Sequence, residues 1–149
     1  MKLKVPFCKQ RKYYNCLPVS LKMALKFFGY KITLSEIEDI CGTDITGTDI
    51  DRAVDNLRDA GYRIEIKNLT LRELKTHLKG GMPVITIVNT YYFPWIKSFS
   101  SHAVVVIGFT ENEVVVNDPL EGEKKCSYER FLHAWRLYNN LSIIVKPTR

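Results

Sequence analysis

Cys16 is the residue of this chain best placed for covalent chemistry. It follows Asn15 and precedes Leu17 and Pro18, and from there Val19, Met23, Ala24, Phe27 and Phe28 recur at helical spacing as far as Gly29. Proline at the first helical position and glycine past the last turn predict a helix from about Pro18 to Phe28. A sulfur at its N-terminus lies at the positive end of the helix dipole, beside backbone N–H groups with no intrahelical partner. That setting lowers a thiol's pKa from about 8.5 and so supplies the thiolate, the nucleophilic form. The same N–H groups can hold the oxyanion that forms when a thiolate attacks a carbonyl. Gln10, a short way upstream in an irregular segment, carries an amide that can donate to the same oxyanion. Taken singly, each has a plainer reading, as a structural cysteine and a surface glutamine.

A nucleophile needs a base, and a base needs a partner that fixes its tautomer. His102 opens the most apolar run of the chain, Ala103 to Ile107, at a strand's first position beside a long loop where substrate can reach it. The polar break Thr110 to Glu113 separates two valine-rich runs and reads as an antiparallel hairpin. Folding the chain back there brings Asn117 and Asp118 level with His102. Side chains alternate faces along a strand, so the register decides between them. A two-residue loop favours Asn117, and a three-residue loop or a bulge favours Asp118.

The elements that must position these groups follow from patterning. Thr33 with Glu36, Thr48 with Asp51 and Thr70 with Glu73 have capping spacing, which implies helices over 34–41, 49–60 and 71–79. A strand is predicted at 62–66, and β-branched runs at 83–89, 102–109, 113–117 and 141–146 make the second half mainly sheet. A last helix reads at 127–135. The fold class is α+β, a helical half followed by an antiparallel β half, and 149 residues of ordinary globular composition fit one domain, 1–149. Tyr92 and Trp95, with Tyr91, Phe93 and Pro94, sit in the loop before His102 and offer an apolar lip for peptide side chains.

The net charge of +6 is spread among interleaved carboxylates, apart from Lys2, Lys4, Lys9, Arg11 and Lys12 at the N-terminus, and reads as a solvated basic surface rather than a nucleic-acid site. No run approaches the ~20 apolar residues that span a bilayer, and the N-terminus lacks a signal peptide's apolar region, so a cytoplasmic location is expected. Cys8, Cys41 and Cys126 are expected to be packed thiols. The cysteines and histidines have no metal-ligand spacing, so neither metal nor organic cofactor is expected.

The runs VPFCKQRKYYNCLPVSLKMALKFFG, GTDIDRAVDNLRDAGYRIE, GGMPVITIV and HAVVVIGFTENEVVVNDP together resemble the bacteriocin-processing, double-glycine-type cysteine peptidases and their stand-alone relatives, in the same order over nearly the whole chain. The resemblance implies a papain-like fold with the cysteine on a central helix and the histidine and aspartate on a facing sheet. It matches Gln10 to the oxyanion-hole glutamine, Cys16 to the nucleophile, His102 to the base and Asp118 to the third triad member. It also implies a peptide or protein substrate and an associated transporter. Two positions depart from it: Leu17 stands where glycine is usual and Asn15 where aspartate is frequent. Leu17 is therefore expected to border the substrate cleft and reshape it. The implied activity is peptide-bond hydrolysis through a thioester, in leader-peptide processing. The rivals are an amidase or acyl transferase on the same machinery, and a catalytically silent peptide-binding domain of the same fold.

Overall fold

The computed structural model describes residues 1–148. A six-stranded antiparallel sheet runs in the order β1-β6-β2-β3-β4-β5, with β1 at Ile64–Asn68, β2 at Val84–Asn89, β3 at Ser101–Phe109, β4 at Glu113–Asp118, β5 at Gly122–Ser127 and β6 at Leu141–Val145. Because side chains alternate along each strand, the sheet has two apolar faces. Ala103, Val105, Ile107 and Val115 pack with α1 (Cys16–Phe27), α2 (Leu34–Cys41) and α3 (Ile50–Asp59). Val104, Val106, Val114 and Val116 pack instead with α4 (Leu71–Lys79) and α5 (Tyr128–Arg136), whose Phe131 and Trp135 are fully buried. The α+β class expected from the sequence is present, with helices from both halves covering both faces of the sheet.

Local chemistry accounts for the helix ends. Thr33 accepts from the Glu36 N–H at the start of α2, and Thr70 and Glu73 form a reciprocal capping box on α4. At α3 the cap is Asp49, which accepts from the Arg52 N–H, and not Thr48, whose hydroxyl is engaged with Thr43 at 2.7 Å. The aspartate one residue along has the stronger acceptor for an orphan N–H. The strand β5 was not expected: Gly-Glu-Lys-Lys-Cys-Ser carries no β-branched residue and only Cys126 is buried, as suits a charged edge strand.

Two features of the sheet bear on the site. The chain turns from β3 to β4 through Glu111 and Asn112, closed by the Thr110 N–H donating to the Glu113 carbonyl at 2.8 Å. Val105 pairs with Asn117 and Val106 with Val116, but Gly108 pairs with Val115, so Ile107 is bulged out of the ladder. Beside the bulge, Met1 to Leu3 lie along β3, bridging Lys2 to Gly108 and donating from the Leu3 N–H to the Ile107 carbonyl at 2.8 Å. A Cβ on Gly108 would stand 2.3 Å from the Met1 carbonyl oxygen, so this approach requires glycine.

Candidate active site

The N-terminus of α1 meets the sheet at the end formed by the start of β3 and the finish of β4. Cys16 is the first residue of α1, one turn before Ser20, whose hydroxyl donates to the Ala103 carbonyl at 3.3 Å. By the β3–β4 register the residue across from Ala103 would be Pro119, which has no N–H to give, and the Ser20 hydroxyl serves that carbonyl instead. The helix is thereby fixed against the strand directly next to His102.

His102 is buried, and its Nε2 lies 2.8 Å from Asp118 Oδ1. Nδ1 is then the ring nitrogen left to face Cys16, which borders the same cavity and acts electrostatically on His102. Asp118 is fully buried and wholly satisfied: Oδ1 also accepts from the Leu120 N–H at 2.9 Å, and Oδ2 accepts from Trp95 Nε1 at 2.9 Å. Asn117, the alternative partner left open by the sequence, points elsewhere, its Nδ2 donating to the Val5 carbonyl at 3.4 Å.

The electrostatics separate this cysteine from the others. Burial pushes the Cys16 thiol up, but the hydrogen bond and charge of His102, with the Ala103 and Leu17 N–H groups, outweigh it and hold the pKa below the ordinary thiol value. Burial alone pushes Cys41 up to about 12, and burial dominates at Cys126, raised to about 11. For His102, burial works against the charged form, yet the hydrogen bonds to Asp118 and Cys16 raise the pKa to about 9. Burial likewise opposes ionisation of Asp118, and the bonds from His102, Trp95 and Leu120 bring its pKa below the usual carboxylate value. The three groups together favour a thiolate–imidazolium pair beside a carboxylate.

Next to the sulfur lies an open cavity of about 250 Å³, walled by Leu17, Ile45, Ile87 and Ala103 and bordered by Tyr13 and His102. Leu17 is 4% exposed and belongs to the core under α1, so it supports the cavity wall more than it blocks the sulfur. Gln10 is buried but does not line this cavity. One of its amide hydrogens goes to the Lys12 carbonyl at 2.7 Å, and its backbone N–H donates to the Pro119 carbonyl at 2.7 Å, next to Asp118. The second amide hydrogen has no acceptor among the described residues.

Tyr92 and Trp95 do not form a lip on this cavity. Tyr92 stacks on His133 with ring centroids 5.4 Å apart, and Trp95 stacks on Phe93 at 4.6 Å and turns its N–H to Asp118. The loop is drawn under the sheet's second face because Phe93 and Trp95 pack into the core there. Its exposed aromatic residues are Tyr91 and Phe99. Sequence reasoning missed Ser20, which ties α1 to the Ala103 carbonyl, and residues 45–48, which wall the cavity. The Ser20 spacing of one helical turn from Cys16 was the available signal.

Fold and site define a papain-like cysteine peptidase. A model of the Peptidase_C39 like family matches residues 2–143, and the chain belongs to that family. Among characterised proteins it is 27% identical to the pediocin PA-1 transport/processing ATP-binding protein PedD of Pediococcus acidilactici, over 94% of this chain and 19% of that one. The chain thus spans about a fifth of the length of that relative. Among solved structures, a C39-like peptidase from Bacillus anthracis superposes with a TM-score of 0.83 at 19% identity, over 99% of this chain and 98% of the other. A double-glycine-motif protease from an AMS/PCAT transporter, solved with a leader peptide, gives 0.78 at 24% identity over 99% and 94%. The peptidase domain of Streptococcus ComA, a bifunctional ABC transporter of a quorum-sensing pathway, gives 0.76 at 22% over 95% and 97%. Among the described residues no helix is long and apolar enough to cross a membrane, and no cluster of His, Cys, Asp and Glu could hold a metal ion.

Proposed function

We propose that this chain, as a single domain over residues 1–149, cleaves a peptide bond through a thioester on Cys16. The observation that carries the reading is the His102–Asp118 bond of 2.8 Å, which commits Nε2 and leaves Nδ1 to the Cys16 thiol at a helix N-terminus. The Cys16 thiolate attacks the scissile carbonyl carbon, and the negative charge moves to the carbonyl oxygen. The Cys16 backbone N–H and the free amide hydrogen of Gln10 stabilise it. The C–N bond breaks as His102 gives its proton to the leaving amine, and the acyl group stays on sulfur. Water, deprotonated by His102, then attacks the thioester and releases the acid and the thiolate. Asp118 holds the imidazole in one tautomer throughout. Leu17, beneath the cavity, shapes the surface on which the substrate backbone lies.

The substrate we infer is a leader-bearing peptide, cut where the leader ends, and the companion a transporter that exports the trimmed product, working in the cytoplasm. The relatives support this: one is a transport and processing protein, and another was solved with a leader peptide. The test is iodoacetamide labelling of Cys16 near pH 6. It should run well ahead of a free thiol and fall in His102→Ala, while Cys16→Ala should abolish cleavage of a leader peptide. Labelling no faster than a free thiol, unchanged in His102→Ala, would sink the mechanism. A transporter gene or a small double-glycine peptide gene beside this one would support the export role.

A further inference from the structure

We infer that Trp95 is a positioning residue for the triad, acting through Asp118. The inference rests on the proposed Cys16–His102–Asp118 mechanism and adds a member to it. Asp118 Oδ1 is shared by His102 Nε2 and the Leu120 N–H, so it has two donors, whereas Trp95 Nε1 is the one donor to Oδ2 among the described residues. Asp118 is fully buried, and no water can replace a donor lost there without opening the structure.

With Oδ2 tied at 2.9 Å, the carboxylate cannot rotate about its last torsion, and Oδ1 stays in line with the imidazole. Without that tie, a buried carboxylate oxygen has no partner. It is relieved by turning toward another donor or by taking a proton, and either change weakens the hold on His102.

The indole is itself held from two sides. Its ring stacks on Phe93, which is 1% exposed, with centroids 4.6 Å apart. The loop carrying both is closed by buried Thr90, whose hydroxyl meets Ser98 and Ser100 and accepts from the Ser100 N–H at 3.2 Å. That loop runs from the end of β2 to the start of β3, so its closure also sets where His102 begins. The titratable groups acting on His102 are Cys16 from α1 and Asp118 from β4, and the one acting on Asp118 is His102. Among the described residues no charge besides that of His102 acts on this carboxylate together with the indole N–H.

The test is the iodoacetamide labelling rate of Cys16 as a function of pH in the full chain. Trp95→Phe keeps a ring on Phe93 and removes only the donor. It should slow labelling at pH 6 by roughly tenfold, the size expected for a hydrogen bond to a charged group, with circular dichroism unchanged. In an Asp118→Asn background the same substitution should add nothing, since the two act as a unit. Wild-type labelling at pH 6 in Trp95→Phe, or the full loss recurring in the Asp118→Asn background, overturns the inference. A measurement on the unmutated protein guards against a variant that does not fold. The Trp95 indole N–H resonance should titrate with the inflections of the labelling profile, and a resonance that stays flat across them overturns the inference too. Failure of the parent reading is distinct: there the wild-type protein itself labels no faster than a free thiol.

Discussion

His102 and Asp118 meet at 2.8 Å because Ile107 is bulged out of the strand between them. The turn through Glu111 and Asn112 pairs Phe109 with Val114 and, carried along the ladder unbroken, would place Asn117 on the same face as His102 and turn Asp118 away. The one extra residue on β3 shifts the register, pairs Val105 with Asn117, and leaves Asp118 on the face that His102 shares with Val104 and Val106. The choice of a charged rather than a neutral partner for the imidazole is therefore made some distance from the site.

Exchanging the two candidates should expose that choice. Asp118→Asn retains a hydrogen bond but removes the charge facing the imidazolium, so labelling of Cys16 at pH 6 should fall by about tenfold or more. Asn117→Ala, which loses only the contact to Val5, should change that rate less than twofold, up to a small loss of stability of about 1 kcal/mol. Equal effects from the two, measured by labelling rates, would mean that the register has no bearing on reactivity.

Much of this was legible from the residues alone, and the illegible parts share a cause. Helix α1 and its cysteine were marked by Pro18 and Gly29, and the valine-rich strands by their composition. The hairpin restricted the partner of His102 to Asn117 or Asp118. What decided between them is the bulge at Ile107, next to Gly108, where the N-terminal residues Met1 and Lys2 pack against β3; neither the bulge nor that long-range contact is announced by a local pattern. Trp95 was read as a lip because exposed loops carry aromatics for binding. Its N–H finds Asp118 because tertiary packing on Phe93 draws the ring inward. Strand β5 was invisible for the opposite reason: it pairs along β4 with a charged, exposed sequence that has no propensity to report.

The pKa shifts fix the pH range in which the site supports the fold. His102 is raised to about 9 from its ordinary value near 6.5, so its contribution is fully present below 6.5 and is lost as pH rises through about 9. Asp118 is lowered, so its contribution is present above the ordinary carboxylate pKa and is lost as pH falls through its folded value. Thermal melting should therefore fall on the acid side through Asp118 and on the alkaline side through His102, the latter decline being partly offset by the lowered Cys16 thiol, whose contribution grows as pH rises. In His102→Ala the decline on the alkaline side, between pH 7 and 9, should flatten. An alkaline decline of the same size in that variant would assign it to other groups.

Gly108→Ala tests whether the bulge and the N-terminal segment are one device. The added methyl would meet the Met1 carbonyl oxygen at 2.3 Å and the Lys2 Cα at 2.8 Å, both backbone, so the segment must move off β3. We expect a loss of about 1–3 kcal/mol in stability, read from urea unfolding. The pH 6 labelling rate should fall as well, because the strain falls on the residue next to the bulge that sets the register of Asp118. Deleting Met1 to Leu3 would relieve the clash. In that background, Gly108→Ala should cost much less, and a cost that stays the same would show that the glycine is needed for the strand itself.

Leu17 stands directly after Cys16, where the resemblance leads one to expect glycine, and the structure gives the side chain a second task. It is 4% exposed, packs in the cluster with Val19, Ala53 and Ile87, and also forms part of the wall beside Cys16, while its N–H helps hold the sulfur. Leu17→Ala keeps that N–H and the helix but empties the space under the cavity. It should cost about 2–5 kcal/mol of stability, as buried leucine truncations do, and lower the melting temperature by about 2–4 °C per kcal/mol. Labelling of Cys16 by a small reagent at pH 6 should stay within about threefold of the parent, since His102 and the backbone donors are untouched. Under the proposed role of this wall in holding substrate in ground and transition states alike, cleavage of a peptide should respond through KM more than through kcat. Melting that is unchanged in Leu17→Ala would show that the side chain serves the cleft alone, and a collapse of small-reagent labelling would show that it supports the sulfur directly.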